Sequence, residues 1–98
     1  MGPRTWVDAV GIWSDVGPEP LWFPWDNVHK AVVYAWTVLP DDELMVTLDV
    51  SLINGEYLDL NSTSPGFAEV TESLAKRGGR PLPDIGRMRP DDEFQIYR

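Results

Sequence analysis

The segment from Leu44 to Leu52 alternates strictly, with Leu44, Val46, Leu48, Val50 and Leu52 on one face of an extended chain and Thr47, Asp49 and Ser51 on the other. A strand of this kind has one dry face and one wet face, so another element must cover the dry one. Asn54-Gly55 follows at once and reads as a tight hairpin turn in which both residues take positive φ, with Glu56 to Asn61 returning and Leu58 and Leu60 turned inward. A lone two-stranded hairpin is marginal in water, so the flanking sequence has to supply the rest of the sheet and its cover.

The upstream segment Val28 to Leu39 is dense in Val, Tyr, Trp and Thr and reads as a strand, joined to Leu44 through the turn Pro40-Asp41-Asp42-Glu43. Leu21 to Pro24 is a short strand that Pro24 confines to an edge or an end, and Trp25-Asp26-Asn27 turns the chain after it. Thr5 to Trp13 reads as one strand in which Gly11 marks a bulge or bend, and Ser14 to Pro20 as a turn. Downstream, Ser64 reads as a helix N-cap with Pro65 at the first helical position, and Gly78 follows Lys76 and Arg77 as the stop. Phe67, Val70, Thr71 and Leu74 recur at helical spacing and form the face that packs on the sheet. Arg80 to Pro90 holds three prolines and no periodicity, and Glu93 to Arg98 is a possible last strand.

These elements make an α+β fold of about five strands closed by one amphipathic helix near residues 65–77. In a chain of 98 residues with 43% hydrophobic content they fit one domain over residues 1–98, with 79–98 as an extended C-terminal tail. Five Trp are a large aromatic supply for this size, and the absence of Cys removes disulfides and thiolate metal sites from the options. The N-terminus shows no apolar signal segment, and no apolar stretch approaches the roughly 20 residues of a membrane span, which reads as a cytoplasmic protein. Charge is uneven: residues 1–75 carry Arg4 and Lys30 against twelve acids, a net of −10, and residues 76–98 carry six basic residues against four acids, a net of +2. The acidic body repels phosphate and anionic lipid, which argues against nucleic acid and membrane partners and suits either solubility or steering toward a basic protein.

The strand order, with Gly11-Ile12 followed by Phe23-Pro24-Trp25-Asp26-Asn27-Val28 and then Asn61-Ser62-Thr63-Ser64-Pro65-Gly66-Phe67 opening the helix, resembles small bacterial pleckstrin-homology-like domains. The resemblance runs from Thr5 to Lys76. It implies a strongly bent antiparallel sheet or partial barrel plugged by the helix. It does not imply lipid recognition, because Ser14 to Pro20 offers Asp15 and Glu19 where the phosphoinositide-binding members carry basic residues.

Catalytic motifs are not found in the sequence. His29 is the sole His, which rules out a multi-His metal site and leaves it a surface or sheet-face residue; there is no nucleophile elbow, dinucleotide fingerprint or Walker loop. No cofactor is expected. Pro-Asp-Asp-Glu occurs twice, at 40–43 and 90–93, where its acids suit turn chemistry and solubilising caps better than Mg²⁺ or acid–base work.

Trp22 falls on the opposite side of its strand from Phe23 and Trp25, so Trp22, with Trp13 or Trp36, is a candidate partner anchor unless a bent sheet buries both faces. Asp41, Asp42, Glu43, Asp49, Glu56 and Asp59 are the acids that would meet a basic partner. Arg77, Arg80, Arg87 and Arg89 either fold back on the acidic body or form an anion site. The expectation is a non-catalytic protein-interaction module, with an acidic immunity or inhibitor protein that neutralises a basic enzyme, such as a nuclease toxin, as the alternative. Homodimerisation through an exposed strand edge is a separate expectation, motivated by the aromatic surplus and by the lack of strand-closing elements after Asn61.

Overall fold

A computed structural model describes residues 4–15 and 18–97 of the chain; residues 1–3, 16, 17 and 98 lie outside the described residues. In chain order the elements are β1 (Arg4–Val7), β2 (Gly11–Asp15), β3 (Leu21–Pro24), β4 (Val28–Val38), β5 (Glu43–Leu52), β6 (Tyr57–Asn61), α1 (Phe67–Gly78) and β7 (Glu93–Tyr97). The α+β class stands, but the strands form two antiparallel sheets, one ordered β1-β2-β3 and one ordered β6-β5-β4-β7. The expected single bent sheet of about five strands is therefore corrected to six strands before the helix and one after it.

The first correction arises at Asp8. Its Oδ1 accepts the Val10 and Gly11 amides at 2.8 and 3.0 Å, and its own amide donates to the Gly11 carbonyl at 3.1 Å. This side-chain turn breaks the segment 5–13 into a hairpin, so Gly11 opens β2 instead of marking a bulge within one strand. Ser14 and Asp15 consequently belong to β2, and only the remainder of 14–20 connects to β3. A 3-10 turn at Trp25–Asn27 then separates β3 from β4, where the first sheet ends and the second begins.

β4 and β5 pair along their whole length, from Val28↔Leu52 to Val38↔Glu43, with His29 as an extra residue in a bulge between Val28 and Lys30. The hairpin to β6 corrects the turn chemistry: only Gly55 has positive φ, and the Gly55 amide donates to the Leu52 carbonyl while the Leu52 amide donates to the Glu56 carbonyl. A three-residue loop of this type sets Leu48 opposite Leu60 and Val50 opposite Leu58. A two-residue turn at Asn54-Gly55 would shift the pairing by one residue and put apolar side chains opposite wet ones.

The helix starts two residues later than expected. Asn61 Oδ1 accepts the Thr63 amide and the Thr63 and Ser64 hydroxyls at 3.1, 2.6 and 3.0 Å, so the Ser64 hydroxyl is engaged there and does not cap α1. The Pro65 carbonyl accepts the Thr5 amide, and the chain enters the helix through Gly66 at φ 90°. The helix ends at Gly79 in the left-handed region, one residue beyond the expected stop, with the Arg80 amide returning to the Ala75 carbonyl at 3.1 Å.

One buried cluster joins these elements. Val33 and Ala35 of β4, Val46, Leu48 and Val50 of β5, Leu60 of β6 and Ile96 of β7 meet Phe67, Val70, Leu74 and Ala75 of α1, with Ile12 entering from the smaller sheet and Trp25 from the 3-10 turn. Each fully buried Val, Leu or Phe contributes about 1.5–3 kcal/mol relative to exposure, so this single-sided cluster dominates stability. The residues between 79 and 92 run irregularly, and β7 then pairs with β4, covering what would otherwise be a sheet edge. That pairing supplies a closing strand for β4, while β6 and β7 remain the edges of the four-stranded sheet. Among the described residues no helix is long and apolar enough to cross a membrane.

Gly66 and Gly55 share φ 90°, but a Cβ on Gly66 would run into the Thr5 carbonyl oxygen, whereas a Cβ on Gly55 meets open space. Gly55→Ala is expected to cost about 1 kcal/mol through backbone strain alone and Gly66→Ala at least about 2 kcal/mol, because only the latter separates α1 from β1. Urea denaturation of the two variants measures the difference.

Candidate functional site

Two surfaces carry the candidate residues. On the outer face of the three-stranded sheet, the register places Trp6 opposite Trp13 and Trp13 opposite Trp22. The three indoles stack in a row, with centroids 6.1 and 5.8 Å apart and interplanar angles of 5° and 29°. The Arg4 guanidinium lies over the outer end at Trp6, 5.8 Å from the ring centroid, and Asp8 Oδ2 accepts the Trp13 indole N–H at 2.9 Å. The Val10 amide first, then the Trp13 indole and the Gly11 amide, hold the Asp8 carboxyl below its ordinary value. Trp13 is thereby enclosed in the row, and Trp22, 44% exposed on edge strand β3, is its open end. The row explains how a three-stranded sheet with few buried residues holds together, since aromatic pairs add about 0.5–1.5 kcal/mol each beyond area burial.

The second surface is the outer face of the four-stranded sheet, opposite the buried cluster. Along β5 this face presents Glu43, Met45, Thr47, Asp49 and Ser51, flanked by Lys30, Val32, Tyr34 and Trp36 of β4 and by Tyr57, Asp59 and Asn61 of β6. Asp49 and Asp59 are register partners, so two carboxyl groups stand side by side across the strands. Burial first, then the charge and hydrogen-bonding proximity of Asp49, push the Asp59 carboxyl above its ordinary value. Asp49 Oδ1 is buried and has no hydrogen-bond partner.

A groove of about 420 Å³ runs over this face, with Asp49 and Ser51 in it, Lys30, Tyr34 and Trp36 along one wall and Asp91, Asp92 and Glu93 at its rim. The rim is positioned by backbone pairing: the Asp91 amide donates to the Ala35 carbonyl and the Ala35 amide to the Asp92 carbonyl, each at 2.9 Å. Trp36 lies across the sheet, its indole N–H donating to Thr47 Oγ1 at 2.9 Å, and is 41% exposed. The shallow hollow alongside takes His29, Glu56 and Tyr57 next to Asp49.

The candidate residues thus divide. Trp36, Asp49 and Asp59 share the open face with Glu56 at its end, Trp13 and Trp22 lie on the other sheet, and Asp41 and Asp42 occupy the β4–β5 turn with Glu43 opening β5. The two Pro-Asp-Asp-Glu repeats both make turns with a left-handed aspartate, Asp42 in one and Asp91 in the other, but only the second lines the groove. Among the described residues no group of His, Cys, Asp or Glu is arranged to hold a metal ion. The basic cluster has no common site: the Arg77 guanidinium covers the Trp25 ring at 3.9 Å, Arg87 pairs with Asp84 at 3.4 Å, and Arg80 and Arg89 are exposed in the connection.

Sequence reasoning missed Trp6, because it placed Trp6 and Trp13 on one strand, and missed the groove wall of Lys30 and Tyr34. The Asp-x-x-Gly spacing at Asp8 and Gly11 is the signal that identifies the β1–β2 turn. Comparison with family models, with curated proteins and with solved structures finds no match.

Two outcomes follow. Trp13→Leu, which removes two stacking contacts, is expected to cost about twice as much as Trp22→Leu, each contact contributing about 1 kcal/mol; denaturant midpoints give the ratio. Because the folded state lowers the Asp8 value, its contribution is present above the unfolded value and lost as pH falls through the folded one. Asp8→Asn is therefore expected to melt lower than the parent at neutral pH and to converge with it as pH falls below the ordinary aspartate range, as read by calorimetry.

Proposed function

We propose that this chain is a non-catalytic protein-interaction module that receives a basic partner on the open face of the four-stranded sheet. The observation that carries this reading is the Asp49–Asp59 cross-strand pair, with Asp49 set in the groove beside Trp36 and Tyr34 and neither carboxylate in an ion pair among the described residues. Like charges directly opposite each other destabilise a sheet, and a cation supplied from outside removes that penalty. Trp36 and Tyr34 add flat, amphipathic surface of the kind enriched at binding hot spots. The wet row of β5 from Glu43 to Ser51 spans about 27 Å at the rise of a strand, enough for about eight residues of an extended segment.

The pleckstrin-homology-like resemblance supplies the scaffold for this reading. Six strands in two antiparallel sheets lead into one helix, and β7 follows the helix. The inhibitor alternative uses the same face and is favoured by the spread of its acids from Glu43 through Asp49 and Asp59 to Glu56, a linear charge pattern along the sheet. It differs in requiring one cognate basic enzyme.

The test is fluorescence anisotropy with a labelled octalysine peptide and with a neutral peptide of equal length. Octalysine is expected to bind, to weaken by at least about tenfold between low and high salt, and to weaken about tenfold with Asp49→Asn, while Trp22→Ala leaves it unchanged. Equal binding of both peptides, or a larger loss with Trp22→Ala than with Asp49→Asn, would move the interface to the tryptophan row and contradict the proposal.

A further inference from the structure

We propose that the Asp49–Asp59 pair is a proton-coupled lock on the open face: in mildly acidic solution the free protein keeps one proton between the two carboxyl groups, and a lysine or arginine side chain of the partner replaces it. This rests on the reading that the face binds a basic partner, and it adds the exchange that docking requires.

Hydrogen-bond accounting leads to the proton. Ionised carboxylates only accept, so with both groups charged they face each other without a donor, and Asp49 Oδ1 is left buried without a partner. A proton on Asp59 supplies an O–H that donates to Asp49 and removes the charge repulsion at the same time. The neighbouring strands offer no better solution. On β4, the residue opposite Asp49 is the aliphatic Val32, while Lys30 sits opposite Ser51 and Tyr34 opposite Thr47. On β6, Tyr57 lies opposite Ser51 and Asn61 opposite Thr47. On β7, Glu93 faces Tyr34 and Gln95 faces Val32, and Asp91 and Asp92 add negative charge at the rim. Among the described residues Lys30 is thus the one cation against five carboxyl groups on this part of the face, and no ion pair joins it to any of them. The raised Asp59 value, caused by burial and then by Asp49, agrees with this geometry.

An incoming ammonium or guanidinium brings both charge and donors, so it takes over both roles of the proton. The exchange balances: the Asp59 O–H bond breaks, the proton passes to solvent, and the carboxylate pairs with the partner's cation. The sign follows directly. Below the Asp59 value a proton must be expelled, so affinity rises with pH by up to about tenfold per unit; above it the proton has already left and affinity levels off.

The experiment uses the full chain and octalysine. Carboxyl carbon resonances are followed by NMR through an acid titration of the parent and of Asp49→Asn, and binding is measured by calorimetry at about pH 5 in two buffers of different ionisation heat. The parent Asp59 is expected to titrate above the ordinary aspartate range and to fall back in Asp49→Asn. Binding is expected to release a fraction of a proton per peptide from the parent and none from Asp59→Asn, whose affinity should be flat with pH. Peptide binding with no proton release, or an ordinary Asp59 titration, would overturn this inference alone. An elevated Asp59 titration with no peptide binding would overturn the docking reading and the exchange with it.

Discussion

One-sided burial governs this molecule. A chain with a single helix and a small second sheet can cover only one face of a four-stranded sheet, and the buried cluster of Val33, Leu48, Val50, Leu60 and Ile96 with Phe67, Val70 and Leu74 occupies that face. The strict alternation of β5 then forces Thr47, Asp49 and Ser51 outward together. The opposite face is therefore a consequence of how the core is built. Trp36 partly shelters it by lying against Thr47, which leaves Asp49 half-buried at the centre of the open sheet.

The five tryptophans serve that division of labour. Trp6, Trp13 and Trp22 fasten three short strands that bury little of their own, and Asp8 binds both the β1–β2 turn and the middle indole. Trp25 joins the small sheet to the rest: its indole N–H donates to the Asp8 carbonyl at 3.1 Å, its amide to the Val10 carbonyl at 3.1 Å, and Arg77 at the end of α1 covers its ring. Trp36 alone stands on the face assigned to the partner. Most of the aromatic supply is thus structural in a small chain without Cys.

Local patterns were legible in the sequence, and non-local ones were not. β4, β5, β6 and the apolar face of α1 follow from alternation and helical spacing. The β1–β2 split was hidden because its turn is built by an Asp8 side chain and contains no Asn-Gly pair. The helix start was misplaced because Asn61 engages the hydroxyl of the residue that resembles an N-cap. Asp49 and Asp59 were legible as acids on a wet face, but their opposition depends on register. A two-residue turn at Asn54-Gly55 separates them, whereas the three-residue loop that keeps Leu48 opposite Leu60 brings them together. The rim of the groove was beyond reach, since it exists only because β7 returns to pair with β4.

The central claim is that the open face of the four-stranded sheet is where a basic partner sits, and amide and indole chemical-shift mapping during an octalysine titration tests it most directly. The account predicts shifts concentrated at Thr47, Asp49, Ser51 and Asp59 and at the Trp36 indole, with the resonances of Trp6, Trp13 and Trp22 unmoved. Shifts centred on Trp22, or scattered evenly over all the acidic residues, would contradict it.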